Sequence, residues 1–213
     1  EQGIGCCILP KENAAEGAVV QGIEVIGVSD IRETLSFLQA GIQERRGLIA
    51  PAAVDVGALF ERKRQAYGTD FADVNGQQAV KRAAEIAAAG FHHLLMIGPP
   101  GSGKTMIARR MSAILPPLSL EESMEVSAIY SVSGLLSPQE ALMTERPFVA
   151  PHHTITGRAL AGGGRIPAPG MVTLAHRGIL FLDELPEFKR ETLDILRQPL
   201  EDRQIHLARS SGN

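Results

Sequence analysis

The chain has 213 residues, 44% hydrophobic and 21% charged, with a formal net charge of −3. That length buries a sizeable core and accommodates one or two domains, and the composition is that of a soluble globular protein. The acidic balance excludes a uniformly basic nucleic-acid binder, and no run approaches the ~18 apolar residues of a membrane span. The only cysteines, Cys6 and Cys7, are adjacent. Neighbours in a strand face opposite ways, so a reduced, cytoplasmic setting is expected rather than a disulfide or a two-cysteine metal site. The sequence opens on Glu1 and closes on a turn-like Ser-Ser-Gly-Asn, so it reads as a fragment.

Residues 4–9 predict a short buried strand, residues 10–13 a turn, residues 14–20 a short helix and residues 24–28 a second strand. Asp30 with Glu33 forms a capping box for a helix over about 31–39, ended by Gly41. This β-α-β-α piece, residues 1–40, offers no nucleophile or base of its own. Residues 41–69 change composition. Glu44-Arg45-Arg46, Pro51 and Glu61-Arg62-Lys63-Arg64 alternate with short apolar groups, as in a linker with one helix near 54–66 and a solvated basic face.

A second domain begins at residue 70. Residues 77–89 predict a strong helix, with Val80, Ala83, Ala84, Ala87 and Ala88 near helical spacing, ended by Gly90. The apolar run 94–97 then predicts a buried strand leading into Gly98-Pro99-Pro100-Gly101-Ser102-Gly103-Lys104-Thr105, a G-x-x-x-x-G-K-T pattern, and Met106 opens a helix-forming segment to residue 114. Phosphate binding needs that order: a strand aims the loop, the glycines let backbone N–H groups converge, and the helix N-terminus adds positive dipole. Lys104 supplies a mobile cation for the outer phosphates, and the Thr105 hydroxyl is the expected Mg²⁺ ligand. Downstream, Gly178-Ile179-Leu180-Phe181-Leu182-Asp183-Glu184 reads as a central parallel strand ending in two carboxylates. Asp183 would hold the Mg²⁺ water shell, and Glu184 would act as general base on the attacking water.

Between these motifs, Pro116-Pro117 stop the loop helix. Ser119 and Glu122 cap a helix through about residue 130, and Ser137 and Glu140 suggest another. Glu121 and Glu122 belong to the cap and not to catalysis. The segment 146–182 has no Asp or Glu but carries Arg146, Arg158, Arg165, Arg177 and three histidines. Without those four arginines, 17 basic residues face 24 acidic ones, so the rest of the chain is more acidic than its total. Gly162-Gly163-Gly164 and Pro167-Ala168-Pro169-Gly170 suit a projecting hairpin. Such a segment suits an anionic partner, with Arg158 and Arg165 as candidate contacts; the alternative is pairing with acids of a neighbouring subunit or another element. His152-His153 is a poor metal site, because adjacent side chains are expected to diverge and no third ligand is spaced to join them. Residues 189–201 predict a helix with Leu193, Leu196 and Leu200 on one stripe, and residues 204–208 a strand.

Residues 98–105, Ala150-Pro151-His152-His153-Thr154, Gly162-Gly163-Gly164, Pro169-Gly170, Leu174-Ala175-His176 and Leu182-Asp183-Glu184-Leu185-Pro186-Glu187-Phe188 together resemble the magnesium-chelatase-like AAA+ ATPases, in their competence-protein (ComM/YifB) branch. Pro10-Lys11-Glu12-Asn13 after an apolar strand resembles the end of a Lon-protease-like domain, which that branch also carries. The resemblance implies an α/β fold: a P-loop AAA+ core, a parallel sheet flanked by helices and incomplete at the C-terminus, over 70–213, preceded by a β-α-β-α Lon-like remnant. It implies ATP packed by its adenine against the stretch from Val74 to Gln77, Mg²⁺, and a homo-hexameric ring hydrolysing ATP between subunits. It also implies an insert hairpin at about 150–176 near the pore, the start of a second at 204–213, and a role in DNA branch migration during recombination or natural transformation. No membrane partner and no small-molecule substrate beyond ATP are expected. The family's sensor, arginine finger and lid are expected beyond residue 213. The alternative is the ATPase motor of a metal-inserting chelatase; a nucleotide-gated binding module with little turnover fits Glu184 less well.

Overall fold

The computed structural model describes residues 3–65, 71–137, 140–164 and 167–205. They fall into two compact units, Glu1–Arg64 with Leu135–Met143, and Gln65–Gly134 with Thr144–Asn213. Both mix helices with short strands, and the parallel pairs expected of an α/β chain occur in each.

The first unit is built on parallel strands β1 (Cys6–Pro10) and β2 (Glu24–Val28), with Cys6 opposite Glu24 and Pro10 opposite Val28. A 3-10 turn over Lys11–Asn13 and helix α1 (Ala14–Gly17) form the crossover. A Cβ on Gly17 would lie 2.5 Å from Leu9 Cδ1, so the Leu9 side chain packs into the space that the glycine leaves. Helix α2 (Ile31–Gln39) follows its cap: the Asp30 carboxylate accepts from the N–H groups of Arg32 and Glu33 at 2.7 and 2.9 Å. Glu33 reaches back to the Ser29 N–H at 2.6 Å, one residue before the donor of a reciprocal capping box. Gly41 does not end α2. Its N–H is instead accepted by Glu44 at 3.4 Å as the lead into α3 (Ile42–Leu48), and α4 (Val56–Gln65) follows. Residues 41–65 thus carry two helices where the sequence predicts one. Glu140 N–H turns back to Ser137 O at 2.9 Å, but residues 140–147 are not helical, and Ala141 and Leu142 bury their side chains instead.

The second unit opens with α5 (Gln78–Gly90), α6 (Lys104–Ile114) and α7 (Leu120–Val132). Its core joins Phe71, Val74, Ala84, Ala87, Ile107 and Met111, with Leu94, Met96 and Ile179 packed against it. Ala84 and Ala87 let α5 lie close to α6, so the helix behind the phosphate-loop motif is anchored by apolar contacts. Helix α5 ends one residue later than predicted. Gly90 stays inside it, with the His92 ring folded onto its α-carbon, and Phe91 takes the left-handed turn at φ +51°.

Strand β3 (Phe148–Val149) runs parallel to a later strand at Ile179–Leu180, and the helix α8 (Gly157–Ala161), the antiparallel pair β4 (Gly162–Gly163) and β5 (Ala168–Pro169), and helix α9 (Met171–Leu174) lie between them. The Ile179–Leu180 strand is β6. Gly170 and Gly178 are backbone contact points: a Cβ on Gly170 would enter the backbone of residues 160–162, and one on Gly178 that of Pro147. Among the described residues the antiparallel pairing here joins Gly162 to Pro169 and Gly163 to Ala168.

Two expectations are corrected. Residues 94–97 are extended but join no ladder among the described residues; Leu94 and Met96 face the core, while Leu95 and Ile97 are 69% and 90% exposed. The period of two survives, and one face remains uncovered. The predicted helix 189–201 is broken into α10 (Arg190–Asp194) and α11 (Arg197–Asp202). Pro199 has no N–H to give the carbonyl four residues back, which frees the turn at 195–196. Of that stripe Leu196 is buried and Leu200 is 55% exposed. The predicted strand 204–208 lies mainly outside the described residues, as does the second hairpin. No helix among the described residues is long and apolar enough to cross a membrane.

Candidate nucleotide site

The loop from Gly98 to Gly103 turns through two left-handed glycines, Gly101 at φ +77° and Gly103 at φ +84°. A Cβ at Gly101 would meet nothing within 4 Å, so its freedom serves the turn alone. Pro99 and Pro100 lack N–H groups, and Pro99 offers its carbonyl to Ser102 N–H at 3.3 Å. Helix α6 starts at Lys104 and points the N–H groups of its first turn, which helix geometry leaves without intrahelical acceptors, at the loop. The Lys104 ammonium folds into the loop and donates to Gly98 O and Pro99 O, both at 2.9 Å. Met106 stands on the first turn, 37% exposed.

Seventy-eight residues separate Thr105 from Asp183, yet the Thr105 hydroxyl donates to Asp183 Oδ2 at 2.8 Å. The fold therefore brings the end of the acid strand to the start of the loop helix. A hydroxyl beside a carboxylate is an all-oxygen donor pair, the set a hard cation such as Mg²⁺ takes. The open loop with its first-turn N–H groups fits a phosphate chain. Asp183 Oδ1 also accepts the Glu184 N–H at 3.0 Å, and Glu184 sits at φ +52° with its side chain 68% exposed.

His153 is a residue that sequence reasoning dismissed. Its Nδ1 lies 3.6 Å from Glu184 Oε2, and its ring stands edge-on to Phe188. The cause is the pairing of β3 with β6 as parallel neighbours, which the sequence did not predict: residues a few positions beyond each emerge at the same sheet end. The two histidine rings do not diverge as expected; their centroids are 4.1 Å apart, because His153 begins a turn rather than continuing a strand. Among the described residues no cluster of three metal-ligating side chains exists.

Val74 is also not placed as expected. Val74 is fully buried in the core and has no exposed surface for a base to pack on. The Gln77 amide donates to Ser102 O at 2.9 Å.

The basic segment divides. Arg146 is buried, donating to Pro116 O, Pro117 O, Arg177 O and Glu122 Oε2, with Phe91 under its guanidinium. Arg177 donates to Glu125. The reading in which arginines pair with acids of another element thus holds for these two, whose partners lie on α7. Arg158 stands exposed on α8, before the hairpin strands, and its side chain makes no hydrogen bond or ion pair among the described residues. Arg165 lies outside the described residues.

The pair of buried Arg146 with half-buried Glu122 yields a stability prediction. Burial pushes the Glu122 carboxyl up, but the Ser119 bond, Arg146 and Arg177 outweigh it and hold it below its ordinary value. A depressed carboxyl stabilises the fold above its unfolded value and loses that contribution as pH falls through the folded one. Arg146→Ala is expected to cost about 1–3 kcal/mol, because it leaves the carbonyls of Pro116, Pro117 and Arg177 without their donor, while Glu122 keeps Ser119 and Arg177. The acid side of the stability curve should also flatten. Urea melts from neutral to acid pH check both; a loss under about 1 kcal/mol would contradict this account.

Residues 70–213 match the family model described as magnesium chelatase, subunit ChlI. The chain belongs to this family. It is 46% identical over 203 residues to the uncharacterized protein YifB of Salmonella typhimurium and 47% identical over 206 residues to the uncharacterized protein Rv2897c of Mycobacterium tuberculosis. It is 42% identical over 206 residues to the competence protein ComM of Haemophilus influenzae. These matches cover 95–96% of this chain and 38–39% of each relative, so the chain spans under two-fifths of their length. The family handles nucleoside triphosphates through an AAA+-type domain, and the loop and acid strand just described lie within the matched residues.

Proposed function

We propose that this chain carries the ATP-binding and ATP-hydrolysing site of an AAA+ motor that remodels DNA, in recombination or natural transformation. The observation that carries the ATP reading is the Thr105–Asp183 contact, which joins the two halves of a phosphate and metal site from distant parts of the sequence. In this reading the loop N–H groups and Lys104 hold the phosphates, Thr105 and Asp183 hold Mg²⁺ directly or through water, and Glu184 takes the proton of the attacking water. Bound Mg²⁺ would neutralise charge on the outer phosphates. The working form is a cytoplasmic homo-hexamer, and residues 4–40 are the end of a Lon-protease-like domain. ATP hydrolysis by the full-length protein, measured with and without forked or four-way DNA, tests the reading; no hydrolysis under either condition rejects it.

The DNA part rests on Arg158 and Arg165. With Arg146 and Arg177 held by α7, Arg158 is the arginine of the carboxylate-free segment that is left without an acid among the described residues. Phosphate contacts make binding sequence-tolerant and salt-dependent, by about 0.7–0.9 log units per log unit of salt for each phosphate neutralised. Changing Arg158 and Arg165 to alanine is expected to flatten the salt slope by up to about two and lower DNA-stimulated hydrolysis, with ATP affinity kept. Loss of ring formation by light scattering would instead make them subunit contacts. An intact ring with an unchanged slope rejects DNA contact and favours the second reading, the motor of a metal-inserting chelatase, which the description of the matching family supports.

A further inference from the structure

Gln77 does something its position does not require. It precedes α5 in the left-handed region at φ +53°, a conformation that costs a non-glycine residue about 1 kcal/mol or more, and its side chain makes no capping bond to its own helix. The side chain reaches the phosphate loop instead, where its Nε2 donates to Ser102 O at 2.9 Å. The same nitrogen would lie 3.5 Å from a Cβ on Gly103, so the amide rests against the Ser102–Gly103 peptide. That peptide is flanked by the left-handed Gly101 and Gly103, which place little steric bar on turning it over. A trans peptide holds its C=O and N–H on opposite sides. Fixing the Ser102 carbonyl toward Gln77 therefore fixes the Gly103 N–H on the opposite side; a flipped peptide would exchange the two.

We infer that Gln77 is a positioning residue for the phosphate chain: it clamps the Ser102–Gly103 peptide so that the Gly103 N–H faces the ligand. This deepens the proposed ATP site and rests on it. It differs from the expected role at the base in the ligand atoms that lose contact when Gln77 is changed. An amide of this length suits the role, whereas the carboxylate of Glu cannot donate and Asn is one methylene shorter.

The test uses the 213-residue chain with two probes, ATP and inorganic tripolyphosphate, followed by calorimetry. Gln77→Gly removes the clamp and suits the left-handed backbone, so folding should be kept, as a thermal melt checks. Gln77→Asn, which also tolerates that backbone, stands in if the glycine variant does not fold. The expected result is a loss of about two- to tenfold, the worth of one neutral hydrogen bond, by the same factor for both probes and with the melting midpoint unchanged. Weaker ATP binding with tripolyphosphate unaffected overturns the inference and makes Gln77 a base contact. Unchanged affinity for both also overturns it. If the wild-type chain binds neither probe, the nucleotide reading itself fails and takes the inference with it; binding that is lost in Lys104→Ala keeps the two failures apart.

Discussion

Lys104→Ala is expected to lower ATP affinity by about 10²–10⁴-fold, which calorimetry would read as no binding. In the structure the ammonium is held by two loop carbonyls, Gly98 O and Pro99 O, both exposed residues. Those carbonyls can turn to water when the ammonium leaves, so the fold should lose little. Phosphate oxygens have no comparable substitute, because no other mobile cation is described in the loop. Two charge-assisted contacts at about 1.5–3 kcal/mol each give the range stated. An unfolding midpoint that holds while affinity collapses would separate loss of site from loss of fold. Affinity within twofold of wild type would mean that this loop does not bind the phosphates.

Glu184→Gln is expected to keep ATP binding and cut hydrolysis by the full-length protein by about 10²–10⁴-fold, since an amide cannot take a proton from water. Glutamine has nearly the shape of glutamate, and the backbone N–H that reaches Asp183 is untouched. Thr105 and Asp183 remain paired, so the metal ligands should be undisturbed. Phosphate release measured beside nucleotide affinity separates the two effects. Turnover within twofold of wild type would exclude Glu184 as the base and direct attention to His153, the titratable side chain facing it.

What could be read in the sequence was local. Helix α2 with its Asp30 cap, strand β2 and the turn into α6 follow from short patterns that contain their own causes. The joining of Thr105 to Asp183 was legible through a motif, because the chemistry demands both halves. The misreadings come where a residue's neighbours are distant or compete. Gly90 looked like a helix stop, but the His92 ring folds onto it and Phe91 takes the turn. The Leu193, Leu196 and Leu200 stripe predicts one helix, yet the missing N–H of Pro199 decides the backbone. Arg146 and Arg177 counted as free charge until α7 placed Glu122 and Glu125 beside them. The bond of Gln77 to a loop 25 residues on carries no sequence pattern of its own.

The uncovered face of residues 94–97 bears on how this polypeptide behaves in a tube. Leu95 and Ile97 project from an extended backbone that no ladder among the described residues engages. Such a segment can accept the same segment of another molecule, strand to strand. Concentrating this polypeptide therefore favours turbidity and irreversible association over crystals, most of all near the pI of 6.1, where charge repulsion is weakest. A lysine in place of Leu95 would oppose that self-pairing while leaving Leu94 and Met96 in the core and the phosphate loop intact.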